Sequence, residues 1–287
     1  MDILDEARCP HRRTDAPAPG AGRITLLDGF ALRWGRPGSE ARGDELPHSV
    51  QRLVVYLCLA GRPARTAVAG DLWPEVPEEQ AHASLRSALW RSRKAAPGLI
   101  EGVGGALSLV PGVRVDVREL SDWARRVVDP RVPGAAVSVP DRDLHGELLP
   151  GWYDDWVLLE RERLRQLRLH ALEAAAARLA GAGRFGEALQ AALLAVQAEP
   201  LRESAHRTVV RVHLAEGNVV EAHRAYERFR QLLDDELGVP PSEQMTRLVP
   251  GIARRRRALH ALDDAGRGPA PHPLRSVPAP GRSAAVR

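Results

Sequence analysis

Residues 83–98 read ASLRSALWRSRKAAPG, a dense group of side chains able to bind a polyanion. At about 100° per residue, Leu85, Ala88, Leu89, Ser92 and Ala96 share one helical face. Ser87, Trp90, Arg91 and Lys94 occupy the opposite side, with Arg86 and Arg93 on one shoulder. Guanidinium groups bond bidentately to guanine edges and pair with phosphates. Arg86, Ser87, Trp90 and Arg91 are placed to meet base edges or sugars, and Arg93 and Lys94, nearer the helix end, to hold phosphates. His82, one turn earlier, completes the candidate set on this helix. By itself, a basic amphipathic helix is usually a solvated face. Trp90 separates the two readings. It packs on a sugar or a thymine methyl if the helix lies on DNA, and on neighbouring structure if it does not.

Other constellations carry less. His206 and His213 stand seven apart, with His223 elsewhere, and lack zinc-ligand spacing. They read as ordinary surface or core histidines. GAGRFG at 181–186 follows no strand and reads as a turn between helices, not a dinucleotide loop. A phosphate-binding GxxxxGK[ST] motif is missing, since Lys94 is the only lysine. Asp154 and Asp155, neighbours about 100° apart on a helix, suit capping better than paired acid/base work. RRRR at 254–257 could touch DNA or a protein, but a charged helix end is the commoner meaning. No catalytic residue, cofactor or metal is expected.

The elements around the basic helix give it a context. RITLLDGFALRWG (23–35) predicts two strands turning at Asp28-Gly29, and RPGSEARGDEL a loop. Apolar residues at 50, 53, 54, 57 and 58 predict a helix over 48–60, stopped by Gly61 and Pro63. A short second helix follows, with Thr66 as N-cap and Val68, Ala69 and Leu72 as its stripe. The basic helix runs from about Glu78 to Ala96. LIEGV, ALSLV and VRVDV then form a small antiparallel ribbon around Gly104-Gly105 and Pro111-Gly112. Three helices with a basic third, followed by a ribbon, make the layout of a winged helix. Arg114 would be the ribbon's phosphate or minor-groove contact. Arg65 and Thr66 would meet a phosphate at the second helix's N-terminus.

Residues 118–128 predict a helix leading out, and 129–143 a connection. From 154 to 260 the pattern is helical and repeats. Gly183 and Gly217, Glu187 and Glu221, Ala188 and Ala222, and Ala171 and Ala205 are each 34 apart. That is the period of tetratricopeptide hairpins, in which small residues let paired helices approach closely. Helices at 154–170 and 242–260 are expected to cap the stack.

The fold class is therefore mainly α with small β: an N-terminal winged helix-turn-helix followed by an all-α tetratricopeptide-like helical domain. The expected division is a flexible tail at 1–22, a DNA-binding domain at 23–117, a connecting helix and linker at 118–145, helical repeats at 146–260 and a disordered tail at 261–287. Of 287 residues, 44% are hydrophobic and 27% charged, as in soluble globular proteins. The net charge of +4 permits an anionic partner without demanding one. Cys9 falls in the tail and Cys58 in an apolar run, which predicts a buried thiol and not a disulfide framework. The chain has neither an 18-residue apolar run nor a signal-peptide pattern. A cytoplasmic, nucleoid-associated protein without membrane contact is expected.

GDLWPEVPEEQAHASLRSALWRSRK and GALSLVPGVRVDV resemble the second and third helices and the wing of OmpR/PhoB-type winged helices, as do the preceding strands. DDWVLLERERLR, EPLRESAHR and GNVVEAHRAYERFRQLLDDELGVPPSEQM resemble the bacterial transcriptional activator domain. In this order, over residues 23–260, the two resemble the Streptomyces antibiotic regulatory protein family. The resemblance implies a non-enzymatic, pathway-specific activator of antibiotic and other secondary-metabolite genes. Such activators bind double-stranded promoter DNA at direct repeats and recruit RNA polymerase through its sigma factor and other subunits. Two protomers would then sit head-to-tail on DNA. Two departures stand out: Ser92 occupies a position the family fills with an apolar residue, and the wing lacks the aromatic common near Ala106. Two other readings are a helical-repeat interaction scaffold and a ligand-responsive repressor.

Overall fold

In the computed structural model, residues 22–35, 41–42, 46–248 and 250 are described. The Cys9, Arg254–Arg257 and C-terminal tail readings lie outside them.

The chain opens with β1 (Gly22–Thr25) and β2 (Ala31–Trp34), antiparallel around Asp28-Gly29, both at positive φ. Gly22, read as tail, belongs to β1. Within the segment read as loop, β3 (Ala41–Arg42) pairs with β2. Next come α1 (His48–Ala60), α2 (Arg65–Leu72) and α3 (Glu78–Ala95). Val50, Leu53, Val54 and Leu57 recur at helical spacing and are fully buried, which is why α1 forms and where it packs. Glu78 and Glu79 in the first turn of α3, and Arg93 and Lys94 in its last, suit the helix dipole.

The ribbon is β4 (Ile100–Val103) with β5 (Ala106–Leu109), joined by Gly104 and Gly105 at φ 61° and 79°. Two positive-φ residues between paired strands favour glycine and match the strand twist. VRVDV does not extend this ribbon. Its β6 (Arg114–Val115) runs parallel to β1 in the other sheet, whose order is β3-β2-β1-β6. The helix α4 (Asp116–Val128) then starts at once. The reason is the side chain of Asp116. From this position its carboxylate accepts the amides of Leu26 and Leu27 at 2.8 and 2.9 Å, and of Val117 at 2.7 Å.

The second half holds α5 (Asp155–Gly181), α6 (Phe185–Ala198), α7 (Glu203–Glu216), α8 (Val219–Leu237) and the short α9 (Glu243–Thr246). The 34-residue period is physical. Gly183 and Gly217 turn the two hairpins at φ 76° and 94°, and Ala171, Ala188, Ala205 and Ala222 are all buried. GAGRFG is the α5–α6 turn. The helix expected at 154–170 is not separate: nothing between Asp155 and Ala180 is Gly or Pro, so α5 runs unbroken for 27 residues. For the capping helix expected at 242–260, α9 accounts for Glu243–Thr246.

The connection 129–154 is packed onto α5 by arginines that donate to main-chain carbonyls. Arg161 reaches Leu148, Leu149 and Trp152 at 2.7–2.9 Å. Arg168 reaches His145 and Gly146 at 2.5 and 2.6 Å. Arg178 reaches Val127 and Asp129 at 2.5 and 2.8 Å. Hydrogen bonds from charged donors contribute about 1.5–3 kcal/mol each. The Asp28 amide donates to Glu147 and the Leu149 amide to Leu26, so 147–149 also joins the β1–β2 hairpin. On the other side, Arg52 of α1 pairs with Asp154 at 2.5 Å, and Tyr56 meets Trp156 edge-on.

Candidate nucleic-acid interface

The apolar stripe of α3 is buried on α1 and α2: Ala81, Leu85 and Ala88 are at most 2% exposed. The opposite face is open. Arg86, Ser87, Trp90, Arg91, Arg93 and Lys94 are all exposed. Trp90 is 64% exposed and rests on neither the ribbon nor the core; its ring meets the Lys94 ammonium at 5.8 Å. Arg91 reaches Ser49 Oγ at 3.3 Å, a contact at the start of α1 that sequence reasoning missed.

Charge makes this face unlike the helical half. Arg163, Arg165, Arg184, Arg224 and Arg230 each pair with a glutamate three residues away. Among the described residues, Arg86, Arg91, Arg93 and Lys94 have no carboxylate at ion-pair distance. The pair within α3 is His82 with Glu78 at 3.5 Å.

The wing and the second helix flank the same face. The Arg65 amide donates to Gly105 at 3.0 Å, and the Leu107 amide to Pro63 at 2.9 Å. The wing therefore docks on the chain entering α2. Thr66 is not the cap: Ala64 holds that position without a side-chain bond, and the Gly105 carbonyl takes the amide of Arg65. Thr66 is exposed in the first turn. The Arg65 guanidinium lies over Gly102, where an added Cβ would stand 2.8 Å from it. Val103, 56% exposed before the Gly-Gly turn, is a wing-tip side chain that sequence reasoning passed over. Arg114 is not on the wing. It sits on β6, and its Nε pairs with Glu119 at 2.7 Å.

Ser92 is 2% exposed, on the buried face as its spacing requires. Beside it is a void of about 10 Å³, lined by Arg65, Leu89, Gly102 and Leu107 among others. Ser92→Ala is expected to raise stability by about 0.5–1.5 kcal/mol through helix propensity and loss of a buried hydroxyl. The urea midpoint should rise at constant m-value; an unchanged or lower midpoint contradicts this.

The other candidates resolve into structure. His206 stacks on Phe229 at 4.2 Å, and its ring nitrogen meets the Pro200 carbonyl. Burial lowers its pKa. His213 is buried. Cys58 is buried, and burial pushes its thiol up. Among the described residues no His, Cys, Asp and Glu cluster could hold a metal ion, and no helix is long and apolar enough to cross a membrane.

Residues 143–252 match the model of the bacterial transcriptional activator domain. The chain is 31% identical to the regulatory protein AfsR of Streptomyces coelicolor over 99% of its own length and 30% of that relative's. For AfsR of Streptomyces griseus the identity is 31%, over 86% of this chain and 26% of the relative. The chain thus spans under a third of the curated relatives it matches. Among solved structures, Mycobacterium tuberculosis EmbR, in complex with a low affinity phosphopeptide, shares the fold at a TM-score of 0.58 and 18% identity. That match covers 86% of this chain and 70% of EmbR.

The fold is a winged helix joined to tetratricopeptide-like hairpins, and the match to the bacterial transcriptional activator domain falls on the hairpins. In this arrangement the chain is similar to the Streptomyces antibiotic regulatory protein family.

Proposed function

We propose that this chain activates transcription by binding double-stranded promoter DNA with α3 in the major groove. Arg86, Ser87, Trp90 and Arg91 read base edges and sugars. Arg93 and Lys94 hold phosphates, as do Arg65 and Thr66 beside the wing, and His82 flanks the same face. Arg114, paired with Glu119, stays outside this interface. The single observation carrying the reading is the exposed face of Arg86, Arg91, Arg93 and Lys94 on α3, which has no carboxylate partner among the described residues, in a protein whose other helical arginines are so often paired. Two protomers bind direct repeats head-to-tail, and the helical hairpins contact RNA polymerase and its sigma factor. The target genes belong to antibiotic or other secondary-metabolite pathways. The protein acts in the cytoplasm, on the nucleoid, and is not an enzyme.

Footprinting on the promoters upstream of and neighbouring its own gene tests this. Two adjacent protected half-sites are expected. The logarithm of affinity should fall linearly with that of salt, by about 0.9 per phosphate neutralised. Absence of a footprint, or affinity indifferent to salt, favours the scaffold reading.

A further inference from the structure

A cavity of about 380 Å³ opens where the winged helix meets the helical hairpins. It lies within the range of about 300–1,000 Å³ usual for small-molecule sites. Leu27 of the β1–β2 hairpin, Leu120 of α4, Leu148 and Leu164 supply an apolar wall, all at most 8% exposed; Leu158, 39% exposed, also lines it. Both halves of the chain therefore build it.

Its polar wall is unbalanced. Arg161 pairs with Glu147 at 3.0 Å and Arg165 with Glu162 at 2.8 Å. Arg168 has no carboxylate at ion-pair distance among the described residues; its Nη1 is satisfied by carbonyls alone. Its Nε is shut from solvent without a hydrogen-bond partner, as is Nε2 of the adjacent His145. Burial pulls the Arg168 pKa down, with the Asp28 and Glu147 carboxylates pulling more weakly the other way. A buried cation and an unmet donor are both costly, and an entering anion relieves both. The leucines beside it give an apolar tail somewhere to go.

We propose that this cavity binds a small amphipathic carboxylate, its head on Arg168 and His145 and its apolar body on the leucine wall. Because the walls come from both halves, such a ligand binds the assembled junction and stabilises it. This is an effector site separate from the DNA-binding face, and it stands or falls independently of promoter recognition.

The full chain is titrated with sodium octanoate below its micellar range, by calorimetry and thermal melting. Acetate and 1-octanol are run in parallel. Octanoate should bind saturably at one site per chain and raise the melting temperature. Acetate, without the tail, and octanol, without the charge, should bind at least tenfold more weakly. Arg168→Gln should abolish octanoate binding. Leu158→Glu sets a competing carboxylate at an exposed position of the lining and should abolish it too, which keeps the test decisive if R168Q folds poorly. Arg230→Gln, on a remote surface, should bind as the unmodified chain does. No saturable heat with octanoate, equal binding of octanol, or undiminished binding by L158E overturns the proposal.

Discussion

Replacing Arg86 or Arg91 by alanine is expected to weaken promoter binding by about 1–3 kcal/mol each, or roughly 5- to 150-fold. Both side chains stand in water on α3. Neither is held by a carboxylate among the described residues, so neither substitution breaks an internal ion pair. Folding should survive, and the melting temperature should stay within about a degree or two, as for a typical surface change. A base contact also predicts relaxed sequence preference at one operator position. Arg93→Ala and Lys94→Ala should behave differently: affinity falls evenly across sequences, and the salt slope drops by about one phosphate's worth. Arg230→Ala, which breaks an exposed pair with Glu227 on α8, is the matched control and should leave DNA binding unchanged. If R86A and R91A bind the promoter like the parent, α3 is not the recognition helix.

The largest stability effect is expected at Asp116. It is 1% exposed and accepts three main-chain amides, two of them from Leu26 and Leu27, some ninety residues earlier. In Asp116→Asn one carboxylate oxygen becomes a donor that faces these amides. Each buried amide left without an acceptor costs about 1–3 kcal/mol, so a loss of about 2–4 kcal/mol is expected in urea unfolding. Hydrogen exchange should accelerate first at Leu26 and Leu27. Burial raises the Asp116 carboxyl above its ordinary value, with the three amides and Arg23 pulling the other way. A raised folded value means that the folded state holds this proton more tightly than the unfolded chain. The corresponding stability is full below the ordinary carboxylate value and fades as pH rises through the folded one. Asparagine does not titrate, so the gap between parent and D116N should be widest in acid and narrow as pH climbs through that window. A gap that widens with rising pH would show the opposite shift.

Much of the proposed recognition surface was legible in residues 78–98. Leu85, Ala88 and Ser92 set the buried stripe, and with it the outward side of Arg86, Trp90 and Arg91. The missing neutralisation was legible too: no Asp or Glu follows Glu79 on α3, whereas Arg163, Arg165 and Arg224 have glutamates one turn away. Gly104-Gly105 announced the wing because few other residues tolerate positive φ twice in succession. Arg114 was misplaced for a reason. VRVDV alternates like a ribbon strand, and alternation does not say which neighbour the strand pairs with. Thr66 was misread as a cap because the acceptor that replaces a cap, the Gly105 carbonyl, belongs to a distant part of the chain.

By itself, the sequence determined what depends on short-range spacing: helix faces, the Gly-Gly turn, the alanine-lined 34-residue hairpins and the sign of the charge on α3. These follow from the periods of the helix and the strand, which every residue obeys locally. Only the tertiary structure decided the parallel pairing of β6 with β1, the burial of Asp116 against Leu26 and Leu27, and the cavity at the junction. It also decided the arginine bonds from α5 to the connecting segment. Those contacts rest on main-chain amides and carbonyls. Almost every residue carries both, so their partners leave no mark in the order of side chains.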